Sequence, residues 1–127
     1  MEGTNFELVG DFMESFNQTI EEEPVLPEEA IQDLRVELIT EELNELIVAL
    51  ENKDIVEVAD ALTDLLYVVY GAGHAFGIDL DSCFSEVHRS NMSKLGANGR
   101  PIYREDGKVL KPEGYSPPSL AGIIFNT

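Results

Sequence analysis

The chain has 127 residues, 43% of them apolar, and a formal net charge of −17 at pH 7. That length suits one domain with its own core, and the excess of acid excludes non-specific nucleic-acid binding. No apolar run reaches the length of a membrane span, Glu2, Glu7 and Asp11 interrupt any signal-peptide pattern, and the single Cys83 suits a reducing cytoplasm.

Phe6, Val9, Phe12 and Phe16 recur at spacings of three and four, which predicts an amphipathic helix over residues 5–19. Three glutamates and the prolines at 24 and 27 break the chain. Pro27 suits the first position of the next helix, Glu28 and Glu29 complement its dipole, and that helix is expected to run to Leu50. Asn52-Lys53-Asp54 is a turn, and a third helix starts near Asp54 and continues through Tyr70 toward Ala75. Gly77-Ile78-Asp79 is a second turn; a fourth helix begins near Asp81 or Ser82 and ends around Leu95-Gly96. Beyond it, glycines and prolines with Tyr103, Val109 and Tyr115 among them predict an ordered loop, with a short hairpin around Glu105-Asp106-Gly107. Leu120 to Phe125 is apolar enough to need a partner surface. The expected fold is all-α: a single domain over 1–127, with an antiparallel four-helix bundle in 1–96 and a basic Gly/Pro-rich loop and tail in 97–127.

Charge divides unevenly. Residues 1–88 hold 22 of the 25 acidic side chains and only two bases, Arg35 and Lys53, whereas 89–127 hold six bases and three acids. Within the body, acids share helical faces with apolar residues. At about 100° per residue, Glu45 falls about 40° and Glu42 about 100° from Glu41, the sector that Ile31, Leu34 and Leu38 occupy earlier in the helix. The third helix is apolar almost all round from Val58 to Gly73, apart from Asp60, Thr63 and Asp64, and is expected to be buried. Buried acids without partners cost several kcal/mol each (roughly), and with so few bases nearby, hard cations are the simplest partners. Glu42, Glu45 and Asp60 read first as ligands. Glu57 fits either a ligand or an Asp54-x-x-Glu57 capping box. Glu41 also reads as a solvated side chain, and Asp64 as a hydrogen-bonded structural acid.

Glu42-x-x-Glu45, eleven intervening residues, then Glu57-x-x-Asp60 resembles the signature of the all-α nucleoside triphosphate pyrophosphohydrolases. That group takes in MazG, the dimeric dUTPases, the dCTP pyrophosphatases and the phosphoribosyl-ATP pyrophosphohydrolases. Glu41 before the first pair, the run from Asp60 to Gly71 and the segment Ser90-Asn91-Met92-Ser93-Lys94-Leu95 are similar to the MazG-like and phosphoribosyl-ATP-pyrophosphohydrolase-like branch. The resemblance implies hydrolysis of a nucleoside triphosphate, a dNTP foremost, at the α–β bond to a monophosphate and pyrophosphate, in nucleotide-pool control or sanitation. By the same match, Glu42, Glu45, Glu57 and Asp60 would ligate Mg2+ or Mn2+, two or more ions per site. Glu41 and Glu45 are the catalytic candidates, Glu41 as a further ligand or as the base that orients water. A homodimer or homotetramer is implied as well.

A polyanionic substrate gives the basic tail a use. Asn91, Lys94, Arg100, Arg104, Lys108 and Lys111 are the phosphate-binding candidates, and Phe12, Phe16 and Asn17 the base-binding ones, though both phenylalanines also read as core. His74 and His88 read as structural or surface residues. Two competing readings stand beside this one: phosphoribosyl-ATP hydrolysis in histidine biosynthesis, and a non-catalytic acidic helical module that binds a basic partner. A di-iron bundle is disfavoured, because neither histidine stands three residues after a glutamate.

Overall fold

The computed structural model describes residues 3–125. Among them lie the helices α1 (Asn5–Ser15), α2 (Glu29–Glu51), α3 (Ile55–Ala75), α4 (Leu80–Met92) and α5 (Leu120–Ile124). The described residues form no strand, only isolated antiparallel bridges pairing Leu95 with Pro101 and Tyr103 with Val109. This is compatible with the all-α bundle expected. The chain divides into two compact units, Met1–Leu80 and Asp81–Thr127.

In the first unit, α1 opens on a reciprocal capping box: Glu7 N–H donates to Thr4 Oγ1 (3.1 Å) and Thr4 N–H to Glu7 Oε1 (2.8 Å). It stops at Ser15, short of the expected 19, because Asn17 turns to φ 59° and Gln18 N–H donates back to Met13 O (2.8 Å). Residues 18–28 then run beside the end of α3, where Glu21 and Val25 N–H donate to His74 O and Phe76 O, each at 2.9 Å. Gly77 closes that junction with φ 68°; a Cβ there would fall 2.0 Å from Glu23 O. Pro27 stands one position before the N-cap Glu28 rather than opening α2, and its carbonyl accepts from Gln32 Nε2 (2.7 Å). Lys53, at φ 54°, reverses the chain between α2 and α3.

α3 packs against both α1 and α2. Its buried positions are small: Ala61, Gly71, Gly73 and Ala75, facing Val9 and Met13 of α1 and Ala49 of α2. Arg35 is buried with them at 7% exposure, and Gly71 makes room for it, since a Cβ at 71 would stand 2.7 Å from Arg35 Nη1. Desolvation pulls the Arg35 pKa below its ordinary value, and its Nε has no hydrogen-bond partner. The expectation that α3 would be buried all round is corrected here. Ile55 and Val56 are 78% and 72% exposed, and Leu62, Leu66 and Val69 are exposed too. α1 and α2 shield only the small-residue side of α3, so its large apolar side chains face outward.

In the second unit, α4 ends at Met92 rather than near 95, where Ser93 Oγ donates to Ser90 O (2.6 Å). One side of α4 clasps the backbone of residues 115–119. Ser119 N–H donates to Glu86 Oε2 (2.8 Å), Arg89 Nη2 to Pro117 O (3.2 Å) and Ser116 N–H to Ser93 Oγ (2.8 Å). Between α4 and that segment the hairpin forms as expected, with Arg104 N–H on Lys108 O and Leu110 N–H on Ile102 O, both 2.8 Å.

Candidate active site

The α2–α3 turn fixes which carboxylates meet. Asp54 N–H donates to Ala49 O (3.2 Å), which aligns the two helices antiparallel from their junction outward. The Asp54 carboxylate caps α3 by accepting from Val56 N–H (3.1 Å) and Glu57 N–H (3.2 Å). With the Asp54 amide engaged by Ala49, the Glu57 carboxylate has no part in a reciprocal cap, and it lies beside Glu45 in an open cavity of about 380 Å³ that Asn44, Val48 and Asn52 also line.

Further along the seam, α2 contributes Glu41, Glu42 and Glu45, and α3 contributes Asp60 and Asp64. A side-chain hydrogen bond with Glu45, then burial, then the charges of Glu45, Asp64 and Glu41 push the Glu42 pKa up to about 7. Asp64 is also raised, by burial first and then by the charges of Asp60 and Glu45. Glu42 Oε2 is shielded from solvent and has no hydrogen-bond partner. Among the described residues, no three His, Cys, Asp or Glu side chains are gathered closely enough to enclose an ion; Glu45 beside Glu42 instead favours the protonated form of Glu42.

The chemistry of this donor set still fits a hard divalent cation. It is all oxygen, it crowds negative charge from two helices, and it leaves one carboxylate oxygen unpartnered. The residues that would hold one lie along this seam, Glu42 beside Glu45, Asp60 beside Asp64 and Glu57 beside Glu45. Asp64 stands one turn after Asp60 and its charge reaches Glu42.

The other candidates divide. Arg104 is engaged with Asp106 through two hydrogen bonds, from Nε to Oδ1 (2.9 Å) and from Nη2 to Oδ2. The Lys111 ammonium sits 5.1 Å over the Tyr115 ring. Asn91, Lys94, Arg100 and Lys108 belong to the same second unit, with Lys94 and Asn91 joined through Lys94 N–H on Asn91 O (3.1 Å). Phe12 and Phe16 stack on each other at 4.4 Å, Phe12 sets its edge on Tyr67 at 5.6 Å, and Asn17 forms the turn after α1. His74 is structural: its ring stacks on Phe6 at 3.8 Å and its Nε2 bonds to Phe6 O (2.7 Å).

The sequence profile of the phosphoribosyl-ATP pyrophosphohydrolases matches residues 9–91, which take in every one of these carboxylates. The chain belongs to that family. It is also 34% identical over 112 residues to an uncharacterized protein of Acanthamoeba polyphaga mimivirus, covering 85% of this chain. The match takes in 42% of that relative, so the chain spans about two fifths of its length. A crystal structure from Exiguobacterium sp. 255-15, of a protein whose name proposes an NTP pyrophosphohydrolase, superposes with a TM-score of 0.51 at 27% identity, over 93% of this chain and 90% of that one. The family is one of pyrophosphate-releasing hydrolases by name, and the fold carries its carboxylates on α2 and α3. Among the described residues, no helix of this family member is long and apolar enough to cross a membrane.

Proposed function

We propose that this chain is a Mg2+- or Mn2+-dependent nucleotide pyrophosphohydrolase that splits a nucleoside triphosphate, a dNTP foremost, between the α- and β-phosphates. The observation that carries the reading is the crowding at Glu42, which holds a proton to about pH 7 with one oxygen unpartnered. Such a cluster has a use where a cation and a polyanion come together. Ions held by Glu42, Glu45, Asp60 and Asp64, with Glu57 at the edge, would neutralise phosphate charge and make the attacking water more acidic. Glu41, exposed beside the cluster, would then take the proton of that water, with Glu45 orienting it. Lys94, Arg100 and Lys108 are the candidates for countering phosphate charge, and Asn91 for donating a hydrogen bond to a phosphate oxygen. Arg104 and Lys111 would first have to leave Asp106 and Tyr115.

Incubation with each NTP and dNTP plus Mg2+ or Mn2+, reading pyrophosphate and monophosphate, tests this directly. No turnover of any triphosphate by the wild type, or full turnover by Glu45→Gln and Asp60→Asn, sinks it. The family match favours a second reading, phosphoribosyl-ATP as substrate, and the same assay with that compound ranks the two. The outward apolar residues of α2 and α3 support assembly into a homodimer or homotetramer that covers them; light scattering that reports a monomer at assay concentration removes that part.

A further inference from the structure

Beside the acidic seam, α3 borders a second concavity that catalysis does not use. A slot of about 140 Å³ opens between α1 and α3, walled by Leu8 and Leu66, with Asn5, Thr63, Tyr67 and Tyr70 supplying polar groups at its edges. Neither Lys, Arg, Asp nor Glu lines it. We propose that this slot takes the neutral base of the nucleotide, with Tyr67 positioning the ring and Asn5 reading its edge. The assignment rests on the pyrophosphohydrolase reading and moves base recognition from Phe12, Phe16 and Asn17 to the other side of Tyr67.

Its size is that of one flat ring system, below the 300–1,000 Å³ or so typical of sites that enclose a drug-sized ligand. The charged remainder of a nucleotide must therefore lie outside it. α3 supplies the direction. At about 100° per residue, Tyr67 stands about 20° to one side of Asp60, and Thr63 and Tyr70 about 60° and 80° to that same side. Asp64 stands about 40° to the other side, one turn before Tyr67 along the axis. A base between Tyr67 and Tyr70 thus leaves its phosphates directed toward Asp60 and Asp64. Both tyrosine rings are held from α1, Tyr67 by the edge contact with Phe12 at 5.6 Å and Tyr70 by the tilted Phe6 ring at 6.2 Å. The Thr63 hydroxyl donates to Ala59 O (2.7 Å), so toward the slot it offers only lone pairs. The Asn5 amide offers both a donor and an acceptor, which a base edge requires and an unfunctionalised aromatic ligand does not.

The test has two arms. In the first, nucleosides without phosphates are titrated into the isotopically labelled protein with no metal present, and the Thr63 methyl shift and the backbone shifts of Thr63 and Tyr67 are followed by NMR. Wild type and Glu45→Gln should show saturable shifts there; Asn5→Ala and Thr63→Val should weaken binding by about tenfold, one hydrogen bond's worth. In the second, kcat and KM are measured for each dNTP. Asn5→Ala and Thr63→Val should raise KM for the preferred base and compress the spread of kcat/KM between bases. Both leave the Tyr67 ring against Phe12 in place. Shifts confined to Phe16 and Asn17, or an unchanged base ranking in Asn5→Ala and Thr63→Val, overturn the slot while leaving hydrolysis intact. Saturable nucleoside shifts at Thr63 in a wild type that hydrolyses no triphosphate would instead uphold the slot and overturn the hydrolase reading.

Discussion

Glu42 offers the sharpest quantitative prediction. Its pKa is pushed up to about 7, against an ordinary value of 4.5, by Glu45, burial, Asp64 and Glu41. Between those two values the folded chain keeps a proton that the unfolded chain has released, so metal-free stability falls as pH rises through that window. An ion that needs Glu42 ionised must displace the proton. The ionised fraction at pKa 7 is about 0.1 at pH 6 and about 0.9 at pH 8, so apparent Mn2+ affinity should rise about tenfold between them. Isothermal titration at the two pH values measures the ratio, and repeating it in buffers of different ionisation enthalpy counts the proton, close to one per ion at pH 6 and near zero at pH 8. In Glu42→Gln the affinity should be low and independent of pH, while metal-free stability should stop falling between pH 5 and 8. A ratio near one in the wild type, or a Glu42→Gln variant that keeps the pH dependence, refutes the account of a proton held on Glu42.

Other features of the fold give further outcomes. Gly77→Ala should cost about 2–5 kcal/mol, of which about 1–2 come from the left-handed backbone and about 1–3 from the clash with Glu23; urea unfolding followed by circular dichroism measures it, and a loss under about 1 kcal/mol contradicts the geometry. Arg35→Met should raise stability by about 1–4 kcal/mol, since it removes a buried cation whose Nε has no partner, and a destabilised variant would point to an anion seated on Arg35. Glu86 is held down to about 2 by Arg89 and the Ser119 amide. Its contribution is thus complete above the ordinary carboxylate value and lost as pH falls toward about 2. The protection factor for amide exchange at Ser119 should fall over that range in the wild type and at neutral pH in Glu86→Gln.

Much of the fold could be read from period and punctuation. The apolar spacing from Phe6 gave α1, and the Asn52-Lys53-Asp54 turn and the Gly77 turn bounded α3 within a residue or two. What escaped depended on tertiary context. Asn17 ended α1 through a backbone conformation that any of several polar residues could have adopted. The apolar girth of α3 predicted burial, but a sequence does not say whether the covering surface belongs to the same chain. At the site, the acids of α2 and α3 could be named, while their pairing awaited the register set at Asp54, which brings Asp64 toward Glu42 and frees Glu57 from the cap. Tail bases counted as free charges by composition turned out differently individually, because Arg104 and Lys111 each found a local partner two and four residues away.

The clasp on α4 has a consequence for the integrity of the tail. Ser116, Pro117 and Ser119 are fastened to the side of the helix whose end leads into the hairpin. Trypsin cutting after Arg104 or Lys108 at the exposed hairpin would therefore sever the covalent chain without releasing the fragment that follows. The two pieces should separate on a denaturing gel and migrate together on a native column, as a nicked heterodimer held by α4. Hydrogen bonds with Glu86, Arg89 and Ser93 thus make about the last sixth of the chain a non-covalent subunit in waiting.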